Sequence, residues 1–320
     1  MTAENMDALD PLGLAAFPHD AGNAAPTDRG EPPCRVARIA IDSDWEWTAE
    51  RFGGNAEAAA EYALFLTAAI SEVYRRDVNV RLVVPFLRTW SGNNDPYTGN
   101  TSPDPLDQVR AHWVSEMGHI GRELVHLLTG ANTSYGGVAY VGVLCNTGLG
   151  YGVSAYMNGS FPYPLQMNSS SNWDLVVMSH ELGHNFGTLH THDGYNPPID
   201  RCGIDCGGSH DGTIMSYCHI CSGGLINIDL RFHTLVQTVI EDYMANSAPC
   251  DLTMENAALD DSIATLQSGG PIDLYVLVND SGPGCAAVGI ASVQSPTPNG
   301  ATVTIEGWDN PTGDPTGHFL

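Results

Sequence analysis

Between positions 179 and 193 the chain reads SHELGHNFGTLHTHD. His180 and His184 stand four apart, so on a helix their imidazoles leave one face a single turn apart and can hold one ion between them. Glu181 places a carboxylate beside them. Gly187 predicts the end of that helix, because a residue at ease with positive φ lets the chain turn back and bring His190 in as a third imidazole. Three neutral imidazoles at roughly 2.0–2.1 Å suit Zn²⁺ and leave a fourth position open, which is the arrangement of a catalytic zinc site. The chemistry is hydrolysis by metal-activated water, with Glu181 as the general base that takes the water proton and later passes it to the leaving group. The bland reading is that these histidines only pack. Three His, one Glu and one Gly at these offsets arise by chance in roughly one chain in ten thousand of this composition, which makes packing alone a poor account.

The elements around the site follow from periodicity. Residues 35–42 (RVARIAID) alternate as a strand does, and residues 55–75 carry a helical stripe through Ala59, Tyr62, Ala63, Leu66, Ile70 and Val73. Further strands are predicted at 78–87, 123–128 and 137–145, and a helix at 105–117. Residues 146–172, rich in Gly, Ser and Asn, predict an irregular edge strand. Residues 173–186 form the helix that bears His180 and His184, and a last helix spans 229–246. Strands and helices alternate, the signature of an α/β layer. Residues 1–33, rich in Ala, Pro, Gly and Asp without a period, read as a linker or the remnant of a pro-segment, without fixed structure. After Cys250 short β-type runs at 272–278, 288–293 and 301–305 are separated by turn residues, a β module and not a continuation of the first layer.

Composition narrows the partners. The 320 residues carry 37 acidic and 12 basic side chains, all of the latter Arg, for a formal charge of −25. Such a field repels nucleic acid and anionic lipid. No apolar run approaches the roughly 18 residues of a membrane span. Eight cysteines, an even number, point to an oxidising compartment. The opening MTAENMDALDPLG has neither a basic nor an apolar signal region, so a secreted, extracellular protein would take its export signal from sequence upstream. A monomer is expected.

A second motif makes the pattern specific. Residues 212–217 read GTIMSY, and HExxHxxGxxH followed by such a Met-containing turn resembles the metzincin clan of zinc endopeptidases. The HELGHN form of the helix, the apolar strand ending in Cys145 and the cysteine after the last helix resemble the reprolysin (adamalysin) family over about residues 34–250. The resemblance implies an α/β (α+β) catalytic domain with a mixed sheet and an active-site helix, acting on proteins or peptides. It also implies zinc on His180, His184 and His190, Glu181 as base, Met215 as a thioether floor under the histidines, and a Cys145–Cys250 disulfide. Two departures stand out. Reprolysins usually carry Asp directly after the third His, whereas Thr191 and His192 precede Asp193 here, and His192 becomes a rival for the third-ligand place; the Gly187 spacing favours His190. Tyr217 resembles the tyrosine near zinc in astacins and serralysins, a donor to the oxyanion; a packing aromatic is the competing reading. The rival function is a catalytically silent, zinc-stabilised binding protein, and the presence of Glu181 argues against it.

Cys202, Cys206, Cys218 and Cys221 (C-x₃-C-x₁₁-C-x₂-C) suit either a structural zinc or two disulfides, and an exported chain favours disulfides around Met215. Cys34 matches a latency switch poorly and reads as structural or paired. The glycine-rich GLGYG at 148–152 precedes no helix and is no nucleotide fingerprint. The tail resembles cadherin-like and bacterial Ig-like modules, which are β-sandwiches longer than the residues remaining, so a partial module is expected over 251–320. Asn279 and Asp280 there suit either a Ca²⁺ site or a plain turn.

Overall fold

The computed structural model describes residues 34–97, 104–131, 133–208 and 211–252, with the backbone of short pieces at 5–9, 19–20, 295–296, 302, 305–306 and 318–319. Two N-terminal strands, β1 (Asn5–Leu9) and β2 (His19–Asp20), precede β3 (Arg35–Ser43). From Ile39 onward every residue of β3 is buried, as in a strand covered on both faces, which is why its alternation fades at its C-terminal half. Helix α1 (Trp45–Phe52) follows, capped by Asp44, whose carboxylate accepts from the Trp47 N–H at 2.8 Å.

Helix α2 (Ala56–Val78) starts under the Asn55 side chain and runs three residues past the predicted end, to where Asn79 takes a left-handed conformation. The strand predicted at 78–87 is two: β4 (Val80–Val83) and β5 (Leu87–Arg88). Pro85 lies between them, and a residue without an N–H cannot continue a ladder. Helix α3 (Pro105–Ser115) leads to β6 (Leu124–Thr129), β7 (Tyr135–Tyr140) and β8 (Tyr151–Ala155).

These strands form one mixed sheet in the order β1-β7-β8-β6-β3-β4, with β5 also on β3. β7 runs antiparallel to β8, and the other pairings are parallel. β8, expected as an irregular edge, lies inside the sheet between β6 and β7. The run predicted to extend β7 to residue 145 leaves the sheet after Tyr140. Its apolar side chains are buried, but its backbone caps the next helix: the N–H groups of Gly142, Val143 and Leu144 donate to the carbonyls of His184 and Asn185 at 2.9–3.2 Å.

That helix, α4 (Trp173–Asn185), is buried along its whole length and packs on β7, β8 and α2. Asp174 in its first turn accepts from Tyr62 of α2 at 2.5 Å and from the Asn158 and Gly159 N–H groups at 2.7 and 3.0 Å, which fixes the helix start. A two-residue strand β9 (Tyr195–Asn196) pairs with β2. The last helix, α5 (Thr234–Asn246), begins five residues later than the pattern suggests. Asp229, Arg231 and Phe232 spend their backbone or side-chain-directed hydrogen bonds on Gly212, Ile214 and Asp77 instead, tying this stretch to the turn beneath α4.

Cys145 is bonded to Cys250, Cys202 to Cys218 and Cys206 to Cys221, and Cys34 is also disulfide-bonded. The Cys145–Cys250 bond closes a loop of 105 residues, for which chain entropy sets an upper bound of roughly 4–5 kcal/mol. The double variant Cys145→Ser, Cys250→Ser should therefore lose several kcal/mol in urea denaturation; a midpoint and slope unchanged from wild type would contradict a structural role.

No helix among the described residues is long and apolar enough to cross a membrane. In the tail, β10 (Ile305–Glu306) pairs antiparallel with β11 (His318–Phe319). The runs predicted at 272–278 and 288–293, with Asn279 and Asp280, lie outside the described residues, as does most of residues 1–33 beyond β1 and β2.

Candidate active site

The site is built on the C-terminal half of α4. His180 and His184 sit one turn apart and fully buried, and His190 returns to them from beyond the helix. The return is a glycine-terminated turn: Gly187 has φ +90°, its N–H donates to the His184 carbonyl at 2.9 Å, and the Thr188 N–H donates to the Gly183 carbonyl at 3.2 Å. A side chain at 187 would also strike the Tyr243 ring, its Cβ 2.7 Å from Cγ. Gly187→Ala should accordingly cost at least about 1 kcal/mol from backbone strain alone, read as a shift of the denaturant midpoint; an unchanged midpoint would show that the turn tolerates a side chain.

The imidazoles converge through Nε2. His184 Nε2 lies 3.1 Å from both His180 Nε2 and His190 Nε2. Two of the Nδ1 atoms are turned away to an acceptor, His180 to the Ile214 carbonyl at 2.7 Å and His184 to the Thr188 carbonyl at 2.8 Å, while His190 Nδ1 faces the Asp193 carboxylate at 3.7 Å, beyond hydrogen-bond distance. An Nδ1 that donates leaves Nε2 as a bare lone pair. Burial holds His180 well below the usual imidazole range and pushes His184 down to about 3, so no proton on these two bridges the gap. Facing lone pairs at such a distance repel unless a cation lies between them. Tetrahedral zinc, with bonds of about 2.0–2.1 Å, separates its ligand atoms by roughly 3.3–3.4 Å, so the donor set fits that ion. Asp193 in turn is held below the usual carboxylate range, chiefly by the neighbouring His190 ring.

Around this core the other expected residues fall as follows. Glu181 is fully buried and its side chain fills the notch over β7: a Cβ on Gly137 would stand 2.3 Å from Oε1. Met215 is fully buried against α4, where a Cβ on Gly183 would meet its sulfur at 2.6 Å, so the glycine between the two helical histidines is what admits the methionine. The Tyr217 ring lies 4.5 Å from that of His190 and 6.2 Å from that of His180. His192 stacks on His190 with centroids 5.4 Å apart and faces Tyr217 at 4.7 Å; its ring is outside the Nε2 cluster. The four cysteines at 202, 206, 218 and 221 are spent in two disulfides that flank the Met215 turn.

Asp193, Gly183, Gly137 and Asn185 were not singled out by spacing. Asn185 donates from Nδ2 to the carbonyls of Tyr140 and Tyr151 at 2.9 and 3.0 Å, which locks the end of α4 to β7 and to β8. The glycine of HELGH and the Asp three residues after His190 were visible signals; the strand partners of Asn185 were not.

The family model described as Metallo-peptidase family M12, of the reprolysin type, matches residues 33–225, more than half of the chain. The chain belongs to this family.

Proposed function

We propose that this M12 metallopeptidase is a secreted, zinc-dependent endopeptidase whose catalytic unit is residues 34–250. The observation that carries the reading is the convergence of three Nε2 atoms, the two helical rings each oriented by an Nδ1 acceptor, beside a buried carboxylate on the same helix. Seven disulfide-bonded cysteines among the described residues and the acidic composition support export.

His180, His184 and His190 hold the ion. When bound, zinc supplies a Lewis acid that polarises the scissile carbonyl and acidifies water. Glu181, one residue from the first ligand, takes a proton from the attacking water at a carboxylate oxygen and delivers it to the departing amine nitrogen. Glu181 is fully buried, which keeps bulk water from competing for that proton. Tyr217, whose ring lies 4.5 Å from that of His190, donates from its phenol to the carbonyl oxygen in this reading as negative charge builds there. Met215 supports the ligands from beneath without binding the ion.

Zinc quantification together with cleavage of a peptide library tests the reading, with the full chain as the sample. Stoichiometric zinc and internal cleavage are expected; a protein that binds zinc and cuts nothing would favour the silent binding protein. Tyr217→Phe refines it. Loss of an oxyanion donor should lower kcat by about 10²-fold or more while leaving KM and zinc content near wild type, because the bond strengthens in the transition state. An unchanged kcat would reduce Tyr217 to a packing residue.

A further inference from the structure

The residue after the third ligand is Thr191, where a reprolysin usually carries Asp, and the structure places a carboxylate one hydrogen bond away. Thr191 is fully buried. Its N–H donates to the Met215 carbonyl at 3.0 Å, and its own carbonyl accepts from the Ile199 N–H at 2.8 Å. Its hydroxyl meets Asp200 Oδ2 and also lies 3.2 Å from the Met215 carbonyl. One hydroxyl has one proton, and an ionised acceptor holds it more strongly than a neutral carbonyl. The proton therefore goes to Asp200, and the Met215 carbonyl is left to the Thr191 N–H. The other Asp200 oxygen accepts from the Cys202 N–H at 2.9 Å. Cys202 is bonded to Cys218, the neighbour of Tyr217, so the chain of contacts runs from His190 through Thr191, Asp200 and the disulfide back to the turn that contains Met215 and Tyr217.

We infer that Asp200 is a positioning residue, acting through Thr191 to fix the His190 ring and the Met215–Tyr217 turn relative to each other. Asp200 does not touch the imidazoles' Nε2 cluster, and the cysteine sulfurs beside it are committed to the disulfide, so it is not a ligand of a second metal. The inference rests on the reading of His180, His184 and His190 as the zinc set. It goes beyond that reading by naming a carboxylate, on the loop after the third histidine, that holds the third ligand in place.

The experiment compares wild type with Asp200→Asn, Thr191→Val and Thr191→Ser. Zinc affinity is measured by competition with a chromophoric chelator, ligand geometry by the visible absorption of the Co²⁺-substituted protein, and kcat and KM on one cleaved peptide. Asp200→Asn keeps the shape and removes the charge; Thr191→Val keeps the shape and removes the hydroxyl. Each should weaken zinc binding about 10–100-fold and alter the Co²⁺ spectrum, the usual cost of losing a group behind a ligand. kcat should fall more than KM rises. The double variant should bind zinc no more weakly than either single one, since both break the same link. Thr191→Ser, which keeps the hydroxyl, should retain wild-type zinc affinity. Zinc affinity and a Co²⁺ spectrum unchanged in Asp200→Asn would overturn the proposal even with a lowered melting point. Should that variant fail to fold, the same result in Thr191→Val overturns it. Wild type without stoichiometric zinc would overturn the underlying reading, and this one with it.

Discussion

Glu181→Ala should retain the metal and lose nearly all peptidase activity. Glu181 lies outside the set of three converging imidazoles, so its truncation leaves His180, His184 and His190 and the Nδ1 acceptors of the helical pair in place. What it removes is proton transfer, worth about 10²–10⁴ in rate. The position allows no substitute. Glu181 is fully buried in a notch that exists because residue 137 of β7 is glycine, and the other carboxylate of α4, Asp174, lies two turns back and is committed to Tyr62 and the Asn158 and Gly159 N–H groups. Glu181→Gln, which keeps the shape of the side chain but cannot accept a proton, should match Glu181→Ala in kcat and separate lost chemistry from lost packing. Metal content and kcat measured on both variants decide the matter. Wild-type turnover in either, at full zinc occupancy, would sink the base assignment.

The three-histidine cluster is legible in the sequence because its geometry is local. One helix turn fixes His180 and His184, and one glycine turn fixes His190, so spacing alone carries the construction. The groups that orient the rings are less visible. Both Nδ1 acceptors of the helical histidines are backbone carbonyls, at Ile214 and Thr188, which any residue would supply. Asp200 reaches Thr191 only because the intervening loop folds back over nine residues, a closure that no period announces.

The fold shows the same division. Helix α2 is strongly periodic and emerges close to its predicted bounds, whereas β8 looks like loop because Gly152 and Ser154 interrupt its apolar run. The structure gives the reason: a Cβ at 152 would stand 3.1 Å from His126 Nδ1 and 3.2 Å from Asn185 Oδ1, so the close approach of α4 and β6 favours the glycine. Residues 141–145 mislead in the opposite direction. They are apolar like a strand, yet their burial serves to cap α4.

The metal itself should be a large part of the stability of the catalytic unit. An ion that binds only the folded chain adds about 4.1 kcal/mol when its free concentration is a thousand times Kd. Chelation should therefore lower the melting midpoint of wild type, and restored zinc should raise it again. His184→Ala should remove both the ion and this dependence. His184 is the middle member of the set, 3.1 Å from each neighbour, so its loss leaves two imidazoles without the ring that links them. It also empties a fully buried site and deprives the Thr188 carbonyl of its donor. The variant should thus melt low with and without zinc and carry no stoichiometric metal. A second group of potential ligands, His190, His192 and Asp193, lies close by, more exposed than the first, and offers the alternative home for the ion. The two are separable by the same measurement: stoichiometric zinc retained in His184→Ala, with a midpoint that still falls on chelation, would move the metal to His190, His192 and Asp193 and remove the basis for Glu181 as the base.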